Sequence, residues 1–126
     1  MFKLNNINMK KIVKYNAFDE TCERGWVLGH FAKIPELNTQ DLEVQFVKLQ
    51  AGSEKNGISK QKKAKTLSLL VKGKMEIYFK DETVRLEKEG DFVIFDKGVD
   101  HSWKVLEDST ILSVRWPSLP GDVVKK

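Results

Sequence analysis

From Thr66 onward, apolar and polar residues alternate in short runs separated by turns rich in Gly, Asp and Lys. This is the period-two pattern of strands that bury one face. It predicts strands over Thr66 to Lys72, Met75 to Phe79, Thr83 to Leu86, Phe92 to Phe95, His101 to Leu106 and Thr110 to Trp116. Turns at Lys72-Gly73-Lys74, Lys80-Asp81-Glu82, Glu89-Gly90-Asp91 and Glu107-Asp108-Ser109 divide them, and Pro117 and Pro120 are expected to end the sheet. In the clearest case Met75, Ile77 and Phe79 take one face while Glu76, Tyr78 and Lys80 take the other. No helical face, internal repeat or low-complexity tract interrupts the series, so a closed or sandwiched β-domain is expected.

The first half carries weaker patterns. Residues 38–50 fit an amphipathic helix, with Leu42, Phe46 and Leu49 at helical spacing and Thr39 as cap, and equally a strand with Leu42, Val44 and Phe46 on one face. Residues 53–65 are polar, with lysines at Lys60, Lys62, Lys63 and Lys65, and predict a mobile loop leading into a strand. Residues 1–16 are expected to be an N-terminal arm with an edge strand around Ile12 to Tyr15, and Met9 is a second possible start.

Composition sets outer bounds. A chain of 126 residues, 40% hydrophobic and 32% charged, has room for one domain with its own core. No apolar run approaches the roughly 20 residues that span a bilayer, and no signal-peptide pattern opens the chain, so a cytoplasmic protein without membrane contact is expected. The sole cysteine, Cys22, has no Cys or His at metal spacing and is expected to be a packing residue. Net charge is +4, a mild excess. The lysine cluster lacks the neighbouring aromatics that single-stranded nucleic acid stacks on, so a solvated loop is expected there. There is no Gly-rich phosphate loop or nucleophile elbow.

The segment Gly90 to Trp103 changes the picture, because Gly90, Gly98 and His101 fall on the spacing of the second sequence motif of the cupin superfamily, which it resembles. Asp96 stands where that motif has Pro, and Val105 where it has Asn. The resemblance implies an all-β fold, a cupin-type double-stranded β-helix or jelly-roll barrel, spanning residues 21–126 behind a short N-terminal arm or edge strand at 1–20. It also places a strand immediately before Gly52, which decides residues 38–50 in favour of strand. The first cupin motif, which supplies two His and a Glu to a metal, should fall between Gly52 and Gly73, yet that stretch has no histidine. Counting from Gly52 puts the lost histidines at Ile58 and Lys60; counting back from Gly73 puts the lost Glu at Thr66 and the histidines near Lys60 and Lys62. His101 is the one family ligand left, with His30 and Glu43 the only other candidates to join it, so neither a metal nor another cofactor is expected. His30 itself, in the apolar stretch Trp26 to Phe31, is expected to be structural.

The counterpart of His101 points into the barrel, and alternation then turns Trp103 inward as well. Thr66 and Ser68 would line the same interior, with Lys60 and Lys62 near its mouth and Gln45, Glu43, Ser113 and Arg115 as further polar lining. Such a cavity suits an anionic or polyhydroxylated small molecule: a sugar, a carboxylate or a nucleotide-like ligand. Two enzymatic alternatives remain open. One is a metal-independent sugar-nucleotide epimerase or isomerase with His101 as base and Tyr78 as acid; the other is a metal-dependent oxygenase with non-standard ligands. A homodimer formed through the arm at Met1 to Asn16 is the expected assembly.

Overall fold

The structure, a computed structural model, describes residues 9–126. Two long antiparallel strands form its spine: β4 (Lys65–Tyr78) and β7 (Ser102–Trp116), paired from Lys65 opposite Trp116 to Tyr78 opposite Ser102. Their sequences hold one buried face by alternation, Thr66, Ser68 and Leu70 on β4 and Val105, Ser109 and Ile111 on β7. Before them come β1 (Trp26–Leu28), β2 (Glu43–Leu49) and β3 (Ser59–Gln61); β5 (Thr83–Leu86) and β6 (Phe92–Phe95) lie between them; β8 (Val123–Lys125) ends the series. The main sheet runs β1-β2-β7-β4-β5, with β6 also on β4, and β3 pairs with β8 in a second sheet. All pairings between these strands are antiparallel. Residues 38–50 do contain a strand, β2, preceded by a single 3-10 turn at Pro35–Leu37.

Two expected turns are absent. β4 runs straight through Lys72-Gly73-Lys74 and β7 through Glu107-Asp108-Ser109, each bulging where the register shifts between Leu70 and Met75. The reason is mutual contact. Gly73 has φ +105°, and a Cβ on it would fall 2.2 Å from Ser109 Oγ and 2.5 Å from the Asp108 carbonyl. Ser109 Oγ in turn donates to the Glu107 carbonyl at 2.7 Å and accepts from the Lys74 N–H at 2.9 Å, holding the bend. Gly, Asp and Ser mark a bulged corner here rather than strand ends.

Residues 53–65 are not a free loop. Gly52 N–H donates to Val105 O, Lys55 N–H to Trp103 O and Ser59 N–H to His101 O, tying the segment along the first half of β7 before β3 begins. Beyond Pro117 and Pro120, where no further sheet was expected, β8 pairs with β3, Lys60 opposite Val124. Ile12 to Tyr15 form no strand; this part of the arm touches the body through Lys10 N–H to Glu36 Oε2 (2.8 Å), and Phe18 packs on Phe46 with ring centroids 5.3 Å apart. Of the arm Met1 to Asn16, through which a dimer was expected, residues 1–8 lie outside the described residues.

The core sits where β4 and β7 continue past the corner. Leu70, Met75, Ile77, Leu86, Val105 and Ile111 are buried against Val47, Leu49 and Trp103. Each fully buried aliphatic side chain contributes on the order of 1.5–3 kcal/mol. On the opposite face of the sheet Phe92, Ile94 and Trp116 remain 57%, 51% and 37% exposed. Among the described residues no helix is long and apolar enough to cross a membrane.

Candidate functional site

The inward faces of β2, β3, β4, β6 and β7 enclose a cavity of about 120 Å³. Its lining follows from strand phase. On β2, β7 and β4, Gln45, Ser113 and Ser68 stand in one cross-strand row and Arg115 and Thr66 in the next, with Ser68 Oγ and Ser113 Oγ 3.4 Å apart. The adjoining rows are apolar: Val47 beside Ile111, and Ile77 beside Trp103. Of the residues singled out in the sequence, the structure brings His101, Trp103, Arg115, Thr66, Ser68 and Gln45 to this cavity.

It does not bring Glu43, Lys60, Lys62 or Tyr78. On β3 the inward positions are Ser59 and Gln61, both buried, so Lys60 between them turns outward toward Asp100, and Lys62 is exposed. The interior positions nearest the two counted registers are thus Ser59 and Gln61, one residue from those expected. Tyr78 lies on the other face of β4 from Ile77, where its hydroxyl donates to Glu76 Oε1 at 2.9 Å; Arg85 holds the same carboxylate. The anticipated His101–Tyr78 acid–base pair therefore has its two members on different faces.

Three polar lining residues were missed. Lys55 enters because its N–H is bonded to Trp103 O, and Ser59 because it exchanges both backbone bonds with His101. Gln61 follows by alternation. The signal available in the sequence was the spacing back from Thr66, but the phase of so short a strand is set by pairing with distant residues.

Electrostatically the cavity is cationic. Burial, with Lys125 and Arg115 nearby, pushes the Lys55 ammonium below its usual range. Burial also depresses Arg115, against the opposing pull of Glu43 and Asp122, though a guanidinium remains charged at any physiological pH. Burial lowers the His101 imidazole as well, outweighing the Val99 carbonyl, which favours the cation. With His101 neutral, the 3.2 Å contact between Nδ1 and Val99 O requires the proton on Nδ1, because a carbonyl only accepts; Nε2 is left as an acceptor. The ring packs against Phe95 with centroids 4.6 Å apart.

Arg115 is anchored mainly by residues outside the cavity. Its Nη1 donates to Glu43 Oε2 at 3.2 Å, and its guanidinium carbon lies 5.0 Å from the Trp26 ring centroid. Glu43 Oε1 accepts from Ser118 Oγ at 2.7 Å, and the same hydroxyl meets His30 Nδ1 at 2.7 Å and accepts the His30 N–H at 2.9 Å. With its amide turned so that nitrogen faces Asp122 Oδ2 (3.2 Å), Gln61 accepts from Arg115 Nη1 at 3.3 Å. Asp122 takes the backbone N–H groups of Lys63 and Ala64. His30 and Glu43 thus belong to this support and do not meet His101 as co-ligands.

The donor set does not fit a cupin-type metal. Around His101 stand the hydroxyls of Ser59 and Thr66, an amide and two cations, which would repel a divalent ion. Among the described residues no group of three or more His, Cys, Asp or Glu side chains is gathered as metal ligands are. Ser59 Oγ and Thr66 Oγ1 are buried without a hydrogen-bond partner in the protein.

No family model matches the sequence, and no curated protein matches it significantly. Solved structures do match the fold. A conserved double-stranded β-helix protein from Klebsiella pneumoniae aligns at TM-score 0.60 with 20% identity, covering 69% of this chain and 76% of its own. KdgF from Halomonas sp. aligns at TM-score 0.58 with 24% identity, over 64% and 74% of the two chains. A cupin-2 domain protein from Shewanella frigidimarina aligns at TM-score 0.53 with 21% identity, over 61% and 72%. At such identities the likeness fixes the architecture, a cupin-type double-stranded β-helix, and leaves the chemistry to the site.

Proposed function

We propose that this chain, which folds as a small cupin domain, binds a small anionic molecule inside its barrel without a metal. The observation that carries this reading is the convergence of Lys55 and Arg115 on a lumen that also holds two buried hydroxyls without partners, Ser59 and Thr66. Charged donors in a partly buried cavity hold anions by charge-assisted hydrogen bonds, roughly twice as strong as neutral ones. An unpartnered buried hydroxyl costs about 1–3 kcal/mol, a cost that a bound carboxylate or similar group removes. His101 contributes Nε2 as acceptor, and with Trp103 and Phe95 it shapes the wall.

The two enzymatic alternatives fare less well. A nucleoside diphosphate sugar is far larger than a cavity of about 120 Å³, and Tyr78 is engaged with Glu76 on the far side of the strand. A metal-dependent oxygenase needs ligands that the side chains around His101 do not supply.

The test is calorimetric titration of the purified protein with simple carboxylate, phosphate and sulfate salts, repeated on Lys55→Met. Saturable one-to-one binding of an anion, weakened at least tenfold in the variant, supports the reading. Binding of none of these anions by folded protein, or anion binding indifferent to Lys55, overturns it.

For assembly we propose a homodimer in which a second copy covers the outer face of β6, β4 and β7. Leu67 stands opposite both Ile94 and Val114, and Leu69 opposite both Phe92 and Leu112, so the apolar positions are contiguous across three strands. With Phe92, Ile94 and Trp116 more than a third exposed, this face presents a contiguous apolar patch of the kind that marks interaction surfaces.

A further inference from the structure

Resting on the reading of the lumen as an anion site, we propose that its ligand is a monocarboxylate with a short unbranched apolar tail, carboxylate toward Arg115 and Lys55, tail toward Ile111 and Met75.

The lumen is divided lengthwise. The rows built by Gln45, Ser113 and Ser68 and by Arg115 and Thr66 are polar, and they lie at the end of β4 where Lys65 faces Trp116. The rows that follow, Val47 with Ile111 and then Met75 opposite Val105 beyond the bulge, offer no hydrogen-bonding side chain. A ligand that fills this space needs one polar end and one apolar end. Sugars and other polyols present hydroxyls along their whole length, so half of them would be stripped of water against an apolar wall.

The charges point to a single negative group. Arg115 is already paired with Glu43 at 3.2 Å. Lys55 has no carboxylate within 4 Å of its ammonium among the described residues, so the lumen carries about one uncompensated positive charge. One carboxylate balances it; the second carboxylate of a dicarboxylate would lie beside Met75 and Ile111 with no cation to meet it. Size sets the tail. About 120 Å³ accommodates a ligand of fewer than roughly ten non-hydrogen atoms, which leaves about three to five carbons behind the carboxyl group.

Calorimetry with a matched series tests this: acetate, butanoate, pentanoate and hexanoate, against glutarate, gluconate and 1-pentanol. The expected result is affinity rising about threefold or more per added methylene from butanoate to pentanoate, with glutarate, gluconate and 1-pentanol each at least tenfold weaker than pentanoate. Val47→Asn, at the half-buried edge of the apolar row, should lower pentanoate affinity several-fold more than acetate affinity, with circular dichroism confirming the fold. Glutarate or gluconate binding as tightly as pentanoate, or no gain with chain length, overturns this inference while the anion site stands. If no anion of the series binds to folded protein, the anion site itself falls and this inference with it.

Discussion

Ser59 and His101 exchange both backbone hydrogen bonds, Ser59 N–H to His101 O at 3.1 Å and His101 N–H to Ser59 O at 2.9 Å. Directly opposed residues in an antiparallel pair send their side chains to the same face. The pair therefore sets an unpartnered hydroxyl beside an imidazole whose Nε2 is free, and it does so through the main chain, independent of what either side chain binds.

His101 should make stability depend on pH in one direction. Its folded pKa lies below the usual 6.5, mainly because burial disfavours the cation. Between the folded value and 6.5 the unfolded chain takes up a proton that the native state refuses, so the imidazole's contribution is complete above pH 6.5 and is lost as pH falls through that window. Thermal melts should show the midpoint declining below pH 6.5, and His101→Gln should flatten that part of the profile. An unaltered profile in the variant would assign the decline to other groups.

Lys55→Met should separate stability from binding. The wild-type ammonium is desolvated and lies near Arg115 and Lys125, so removing its charge relieves a cost in the native state. The melting midpoint is expected to stay level or rise by about 2–5 °C, while anion affinity falls at least tenfold, about 1.4 kcal/mol. Scanning calorimetry of both proteins, with and without anion, checks the two halves together.

Glu43→Gln should do the reverse. The carboxylate is buried, holds Arg115 at 3.2 Å and accepts from Ser118, so its loss leaves a guanidinium without its counter-charge and weakens the link to His30. Breaking such a pair costs about 3–5 kcal/mol when fully buried; with the Arg115 side chain still 21% exposed, a loss of about 2–3 kcal/mol is expected in urea denaturation. Anion affinity should not fall, because Arg115 gains a vacancy.

Gly73 and Gly90 offer a matched comparison. Both have left-handed backbone, φ +105° and +94°, but a Cβ on Gly73 collides with Ser109 while one on Gly90 meets nothing within 4 Å. Gly90→Ala should therefore cost about 1–2 kcal/mol from backbone strain alone. Gly73→Ala should cost at least about 2 kcal/mol more, measured as a difference in urea midpoints at equal slope.

The dimer has its own measurement. Light scattering during gel filtration should give twice the chain mass of 14.5 kDa, and Phe92→Ser combined with Ile94→Ser should give the single mass with unchanged circular dichroism. A wild-type monomer at tens of micromolar would refute the assembly.

The strands after Thr66 were legible because each buries one face and so writes its period into the chain. Their ends were not, at Gly73 and at Asp108-Ser109, because a bulge and a turn draw on the same residues; only the contact between the two positions, distant in sequence, distinguishes them. Likewise His101, Trp103, Thr66, Ser68, Gln45 and Arg115 sit on long strands whose facing can be counted. Lys55, Ser59 and Gln61 sit on a segment too short to count, aligned by bonds to Trp103 and His101. β8 escaped because Pro117 and Pro120 read as a stop, and its partner β3 lies far upstream.

Along β3 the lumen reads Ser59 and Gln61 while solvent reads Lys60, with Lys62 following. The two sets are separated by a single step of the chain. A one-residue slip of this strand would turn Lys60 and Lys62 toward the interior, so the interior charge of this barrel is governed by reading phase as much as by residue choice. Small insertions or deletions ahead of that short strand are therefore a ready evolutionary route to a lumen of different charge.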